Sequence, residues 1–154
     1  MCNRLRIAEK AKRKLDDAGI EPKPIAPEIL IPMLEVCGNI ESQTLSDMFA
    51  SLLAASLNPD EHEKVHPSFA QMLSELSPFD AAIFSRLMSS TEQIRFESSA
   101  DELSILHLAR LGLVTRDIDS MEMPHLATLL TKAGYYYQPY QATKLAEALW
   151  QVIN

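Results

Sequence analysis

The chain has 154 residues, of which 47% are hydrophobic, and a formal net charge of −7 at pH 7. A chain of this length buries roughly 68–70% of its unfolded surface on folding, which is enough for one domain or two small ones without disulfide bonds. The acidic balance argues against a general affinity for nucleic acid, because phosphate binding depends on Lys and Arg side chains that displace counterions.

The first predicted helix, residues 3–18, is strongly basic. Between Asn3 and Leu15 it carries one acidic residue, Glu9, and six cations: Arg4, Arg6, Lys10, Lys12, Arg13 and Lys14. We expect its apolar stripe to be Leu5, Ala8, Ala11 and Leu15. The stripe contains two alanines and no aromatic residue, which favours a helix that leans on the protein over a membrane anchor. Five of the cations are candidate contacts to an anionic partner: Arg4, Arg6, Lys10, Arg13 and Lys14.

No targeting or membrane-spanning segment is predicted. The first twenty residues are charged where a signal peptide has an apolar stretch of about 7–15 residues. No run approaches the roughly 20 apolar residues that cross a bilayer. We therefore expect a cytoplasmic protein in which Cys2 and Cys37 are reduced thiols.

A proline-rich connector leads to the second predicted helix. Gly19 closes the first helix, and three prolines make residues 22–27 an extended segment that helices do not cross. The second helix begins at Pro27 and ends at Gly38, and Pro32 either kinks it or marks its true start. Its expected apolar positions are Leu30, Leu34 and Val36.

The third predicted helix begins near Glu41 and is closed by Asn58 and Pro59. Its apolar residues recur at helical spacing and form a broad face. They are Leu45, Met48, Phe49, Leu52, Leu53 and Leu57.

Residues 65–80 contain two consecutive helix starts. Pro67 and Pro78 each suit a first helical position, where no amide hydrogen is needed. Ser77 can cap the second helix, and Asp80 can reach back to it as in a capping box. The two apolar faces are Phe69, Met72, Leu73 and Leu76, then Phe79, Ile83, Phe84 and Leu87. We expect a tight helical corner with the aromatic side chains inside.

The rest of the chain mixes helices with short strand candidates. Ser99 can cap a helix that Gly112 ends, another helix follows Pro124, and Thr143 can start the last helix. The strand candidates are residues 93–97, 113–115 and 135–140. Helix, turn and strand in this order predict a winged-helix-like part.

The expected fold is mainly α. An N-terminal helical bundle, residues 1–65, is followed by a winged-helix-like α+β part, residues 66–154, with a two- or three-stranded sheet. The bundle includes the basic first helix, residues 3–18, and the connector, residues 22–27.

A winged helix suggests nucleic-acid binding, which the charges of the second part oppose. From Pro67 to the end, six Lys or Arg stand against ten Asp or Glu, a net of −4. The predicted recognition helix opens with Asp101 and Glu102, where base and phosphate contacts are usually made. We therefore favour a protein partner and keep a nucleic-acid-binding regulator as the alternative.

Residues 62–66, His-Glu-Lys-Val-His, match the H-E-x-x-H pattern of zinc hydrolases. There, two imidazoles four residues apart on one helix bind zinc and the glutamate activates its water. Between Pro59 and Pro67, however, at most about two helical turns fit. No third ligand stands where known arrangements place one, so we expect no metal, with His62 and His66 as weak candidate ligands. A zinc-dependent hydrolase using His62, Glu63 and His66 stays as a second alternative.

Four segments between residues 27 and 87 resemble the Abi-alpha (abortive infection alpha) family, a bacterial family of unknown function. They are Pro32-Met33-Leu34-Glu35, Phe49-Ala50-Ser51-Leu52-Leu53-Ala54, Val65-His66-Pro67-Ser68-Phe69 and Leu76-Ser77-Pro78-Phe79-Asp80. Residues 108–114 and 143–146 resemble the family's later elements. Ala146 stands where the family usually has glycine, and the segment between residues 116 and 134 is short and degenerate.

The resemblance implies an association with bacterial resistance to phage and brings no catalytic residues with it. The shared positions are mostly apolar, Pro or Gly, which are packing and turn positions. No glycine-rich phosphate-binding motif is present, and we expect no cofactor. The sequence thus predicts a non-enzymatic protein-interaction module of phage defence with an unidentified protein partner, and leaves homo-oligomerisation open.

Overall fold

The computed structural model describes residues 3–90, 98–116 and 140–154. Within these ranges the chain forms seven α-helices, one 3₁₀ turn at His62–Lys64 and two strands. The helices are α1 (Asn3–Ala18), α2 (Pro27–Cys37), α3 (Gln43–Leu57), α4 (Ser68–Glu75), α5 (Pro78–Ser89), α6 (Ser99–Arg110) and α7 (Lys144–Ile153). The strands, β1 (Val114–Arg116) and β2 (Tyr140–Ala142), pair antiparallel. The mainly helical fold with a small sheet is therefore confirmed.

The backbone groups into two compact units. The first unit comprises Met1–Ala81 and Ala148–Asn154, and the second comprises Ala82–Glu147. The division into residues 1–65 and 66–154 stays a prediction. So does the winged-helix-like arrangement, because three predicted segments fall wholly or largely outside the described residues: the strand at 93–97, the helix after Pro124 and the strand at 135–140.

Helix α1 packs along α3 through a stripe of three buried side chains, Ile7, Ala11 and Leu15. The expected stripe was wrong at its N-terminal half, since Leu5 is 52% exposed and Ala8 is also exposed. Ile7, Ala11 and Leu15 follow one another at four-residue intervals and so lie on one face. Gly19, at φ 65°, ends the helix as predicted, and the Ile20 amide donates to the Leu15 carbonyl at 3.0 Å.

Helix α2 begins at Pro27 and continues through Pro32 to Cys37. Pro32 is therefore inside the helix and does not mark its start. Met33 and Cys37 are the buried residues of α2, whereas Leu34 is exposed. The predicted stripe was wrong at Leu34, while Leu30 and Val36 are half-buried. Because α2 is apolar on more than one face, packing selects the face that is buried.

Helix α3 supplies much of the core of the first unit. It begins at Gln43, two residues after the predicted start, because the Ser42 hydroxyl caps it by accepting from the Leu45 amide at 3.4 Å. Four of its six predicted apolar residues are buried, and Leu53 and Leu57 are half-buried. The Lys23 amide donates to the Leu57 carbonyl at 2.8 Å and so fixes the connector to the end of α3.

The predicted capping box at the start of α5 is confirmed. The Asp80 amide donates to the Ser77 hydroxyl at 3.1 Å, and the Ser77 amide donates to Asp80 Oδ2 at 2.9 Å. Pro78 is the first residue of α5, while Pro67 precedes the first residue of α4 with helical φ and ψ of −55° and −30°. The aromatic prediction was wrong for Phe79, which is 45% exposed.

The second unit contains α6 and the two strands. Ser98, not the predicted Ser99, caps α6, since its hydroxyl accepts from the Asp101 amide at 3.2 Å. Gly112, at φ 74°, ends that helix as predicted and leads into β1. Val114, Thr115 and Arg116 pair with Ala142, Gln141 and Tyr140. Thr143 caps α7 as predicted, since its hydroxyl accepts from the Ala146 amide at 3.1 Å.

None of the helices in the described ranges combines the length and the apolarity needed to span a bilayer.

Candidate functional site

Four of the five predicted partner contacts lie along one side of α1. Arg6, Lys10 and Lys14 follow one another at four-residue steps, which places them on the flank beside the buried stripe, and Arg13 lies next to Arg6 and Lys10 on the solvent side of that flank. We call these four residues the cationic edge. The exposed Lys12 lies on the opposite flank of the same helix.

The inner half of the cationic edge, Arg6 and Lys10, contacts the rest of the first unit. Arg6 Nη2 donates to the Ile40 carbonyl at 2.9 Å, and Lys10 Nζ contacts Asp47 Oδ1 at 2.6 Å. Both side chains are half-buried. The structure therefore gives Arg6 and Lys10 an internal role, which the sequence analysis did not foresee.

The outer half of the edge, Arg13 and Lys14, faces solvent. Both side chains are exposed, and neither forms an ion pair with any residue of the described ranges. Since the buried stripe packs the same helix on α3, the two outer charges start from a fixed backbone position. This reduces the conformational entropy lost when a partner binds.

Arg4, the fifth predicted contact, lies over the α2–α3 loop. A Cβ added to Gly38 would stand 3.3 Å from Arg4 Nε, so the guanidinium covers that glycine. Burial raises the pKa of the neighbouring Cys37 thiol to about 11, and the positive charge of Arg4 works in the opposite direction. Arg4 therefore lies apart from the cationic edge.

The charges of α1 do not follow the preference of the helix dipole. Its first turn contains no acidic residue and its last turn no basic one, while Asp16 and Asp17 lie near its C-terminus. The dipole favours the reverse order by about 0.3–1 kcal/mol for each charge. The stability of the isolated helix therefore does not explain why its cations are where they are.

The H-E-x-x-H segment is not a helix. His62 opens the 3₁₀ turn, Val65 is extended at φ −83° and ψ 106°, and His66 follows it. His62 Nδ1 lies 2.8 Å from the Pro59 carbonyl oxygen, and His66 Nδ1 lies 2.7 Å from the Ser68 hydroxyl. The two imidazoles thus do not share one helix face. No group of three or more His, Cys, Asp or Glu residues suited to a metal occurs among the residues that the structure describes.

The start of α6, the predicted recognition helix, is acidic. Asp101 is buried and Glu102 is exposed. The Asp101 amide is already engaged by the Ser98 cap. A phosphate approaching this end of the helix would therefore meet carboxylates.

A groove of about 370 Å³ opens beside the C-terminal halves of α1 and α3. Lys14 of the cationic edge, Ser51 and Asn58 are among its lining residues. Neither Ser51 nor Asn58 was predicted as a site residue from the sequence. Ser51 is a polar residue within the apolar α3, and Asn58 was predicted only as the end of that helix.

The chain matches the abortive infection alpha family over residues 2–96, which is more than half of its length. It belongs to the abortive infection alpha family. The match begins ahead of α1, which the resemblance described above did not include. It ends before α6, so the resemblances noted at residues 108–114 and 143–146 lie outside it. Comparisons with curated proteins and with solved structures gave no match.

The family match contains the whole cationic edge, the capping box of α5 and most of the groove lining. Membership in the abortive infection alpha family indicates an abortive-infection-like role. Family membership assigns no side chain a part in that role, so the partner-binding residues remain predictions.

Proposed function

We propose that this chain is a non-enzymatic protein-interaction module of phage defence that acts in the bacterial cytoplasm. In this proposal the outer half of the cationic edge contacts an acidic surface on a protein partner. The observation that carries the proposal is the exposure of Arg13 and Lys14 on a helix that is packed on α3 and whose neighbouring cations, Arg6 and Lys10, contact the same unit.

The charge balance of the chain supports an acidic partner surface. Residues 3–18 contain six cations and three acidic residues, a net of +3, whereas the whole chain carries −7, so the remainder carries −10. A basic helix on an acidic protein favours one orientation of approach, because like charges elsewhere repel the partner. The contact is thus expected to depend on salt and to be specific to this helix.

Capture from cells tests the proposal. The tagged full chain is used to capture proteins from bacteria before and after phage infection. An Arg13→Glu variant should lose the partner, because a carboxylate then faces an acidic surface. Like-charge contacts at an interface cost several kcal/mol.

Lys12→Glu is the matched control, since it makes the same charge change at an adjacent exposed position on the opposite flank. It should retain the partner. Equal capture by both variants, with unchanged helical circular dichroism, would contradict the proposal. Capture of DNA in place of a protein, with an affinity that falls steeply with salt, would support the nucleic-acid alternative instead.

A further inference from the structure

We propose that the groove between α1 and α3 binds a small organic anion. The inference does not rest on the proposed function, because Ser51 and Asn58 carry it and neither belongs to the cationic edge; Lys14 is the residue that the two surfaces share. The groove lies wholly within that unit, since all its lining residues belong to Met1–Ala81 and Ala148–Asn154.

The groove has the size of a small-molecule site, and its surface is about equally polar and apolar. Its volume of about 370 Å³ lies within the range of roughly 300–1,000 Å³ that is typical of ligand pockets. Leu15 of α1, Ala54 and Ala55 of α3 and Val152 of α7 supply apolar wall. All four are more than nine-tenths buried, so the core holds the apolar part of the wall in place, and each presents only a small surface to the groove.

Two polar side chains in the groove are more than nine-tenths buried. Ser51 is 6% exposed and Asn58 is 7% exposed. The Ser51 hydroxyl forms no hydrogen bond with any described residue. Asn58 Oδ1 accepts from the Asp60 amide at 3.0 Å. A backbone N–H can only donate, so the atom facing it is the oxygen, and the Asn58 amide nitrogen keeps both of its hydrogens.

These groups favour a ligand that accepts hydrogen bonds. The Ser51 hydroxyl and the Asn58 amide nitrogen are not among the fully buried, unpartnered polar atoms of the described residues, so both reach the groove surface, where an acceptor would take their hydrogen bonds. Lys14 adds an exposed ammonium at the same groove. Three donors beside a wall that is partly apolar suit a carboxylate or phosphate group on a small apolar body.

Glu61 is the acidic side chain of the lining, and it is half-buried. It forms no ion pair with Lys14. Its carboxylate should oppose an anion while Lys14 favours one. Substitutions that remove these two charges should therefore change the affinity for the same anion in opposite directions.

Four probes that share a phenyl ring test the chemistry. The ¹⁵N-labelled full chain is titrated with benzoate, phenyl phosphate, benzyl alcohol and benzylamine, and amide shifts are followed by NMR. Benzoate or phenyl phosphate should shift the amides of Ser51, Ala55 and Asn58 in a saturable way. Neutral and cationic probes should bind at least about tenfold more weakly, since they lack the charge-assisted acceptor.

Substitutions separate binding from folding. Asn58→Asp keeps an oxygen that accepts from the Asp60 amide but replaces the amide donor by a carboxylate. It should lower the affinity for benzoate or phenyl phosphate, whichever binds more tightly, by at least about tenfold. Ser51→Ala breaks no hydrogen bond with a described residue, so thermal stability should not fall, yet binding should weaken about two- to tenfold.

Lys14 and Glu61, two charged residues of the groove lining, give a matched pair of substitutions. Lys14→Gln should weaken anion binding and Glu61→Gln should strengthen it, each by about two- to fivefold, while Lys12→Gln, outside the groove, should change nothing. The proposal is overturned if benzylamine binds as well as benzoate, or if none of the four probes shifts these amides. Unchanged anion affinity in Ser51→Ala and Asn58→Asp would overturn it as well.

Discussion

Ser77 and Asp80 hold the start of α5 by exchanging two hydrogen bonds. Replacing Ser77 by Ala removes the acceptor for the Asp80 amide, and N-cap substitutions of this kind cost about 1 kcal/mol. We therefore expect Ser77→Ala to lower the free energy of unfolding by about 1 kcal/mol in urea denaturation.

Ser89→Ala, the same change at the exposed last residue of α5, is the control and should stay within about 0.5 kcal/mol of the wild type. If both variants have equal stability, the capping box makes no measurable contribution.

Cys37 is a buried thiol whose pKa stands at about 11, above its ordinary value of 9.0. The unfolded chain loses this proton first as the pH rises. The stabilisation from the protonated thiol is therefore fully present below about pH 9 and is lost as the pH rises through the folded value. In a Cys2→Ser background, we expect thiolate absorbance of the native protein to titrate near pH 11.

The same titration in denaturant should give a value near 9. Arg4→Ala removes the charge that lowers the Cys37 pKa and should raise it further. A native Cys37 that titrates at its ordinary value would show that the thiol is accessible to water.

Helix α1 is attached to α3 chiefly by apolar packing. Ile7 is 1% exposed, whereas the ion pair of Lys10 and Asp47 lies nearer the surface. We expect Ile7→Ala to cost about 2–5 kcal/mol of unfolding free energy, because it leaves a cavity in the core. Lys10→Ala should cost less than about 1 kcal/mol, as exposed ion pairs do.

Urea denaturation at low and high salt checks this contrast. The loss of unfolding free energy caused by Lys10→Ala should be smaller at high salt, whereas the loss caused by Ile7→Ala should not change. A larger loss for Lys10→Ala than for Ile7→Ala would mean that the ion pair holds α1 in place.

At the scale of elements, the sequence predicts helices better than it predicts their buried faces. The capping residues Ser77 and Thr143 and the helix ends at Gly19 and Gly112 were found because they act within a few residues. The stripe of α1 was misassigned at Leu5 and Ala8, which border its buried face, and the stripe of α2 was misassigned at Leu34 because α2 is apolar on more than one face. Only tertiary packing decides between such faces.

At the scale of the whole molecule, the candidate site was predicted only in part. A run of cations on α1 is visible in the sequence, but its division into anchoring and exposed charges is not. Arg6 contacts the carbonyl of Ile40, which lies 34 residues away along the chain. The groove joins residues of α1, α3 and α7, and no local pattern brings Ser51 and Val152 together.

Phage protection tests the central claim, that the outer cationic edge recognises a partner in defence, most directly. Efficiency of plating is measured on bacteria that express the wild type, an Arg13→Glu edge variant, or a Lys12→Glu control with the same change in charge. We predict that the wild type and the control reduce plaque formation equally and that the edge variant does not. Protection by an edge variant that accumulates normally, equal to that of the wild type, would contradict the account.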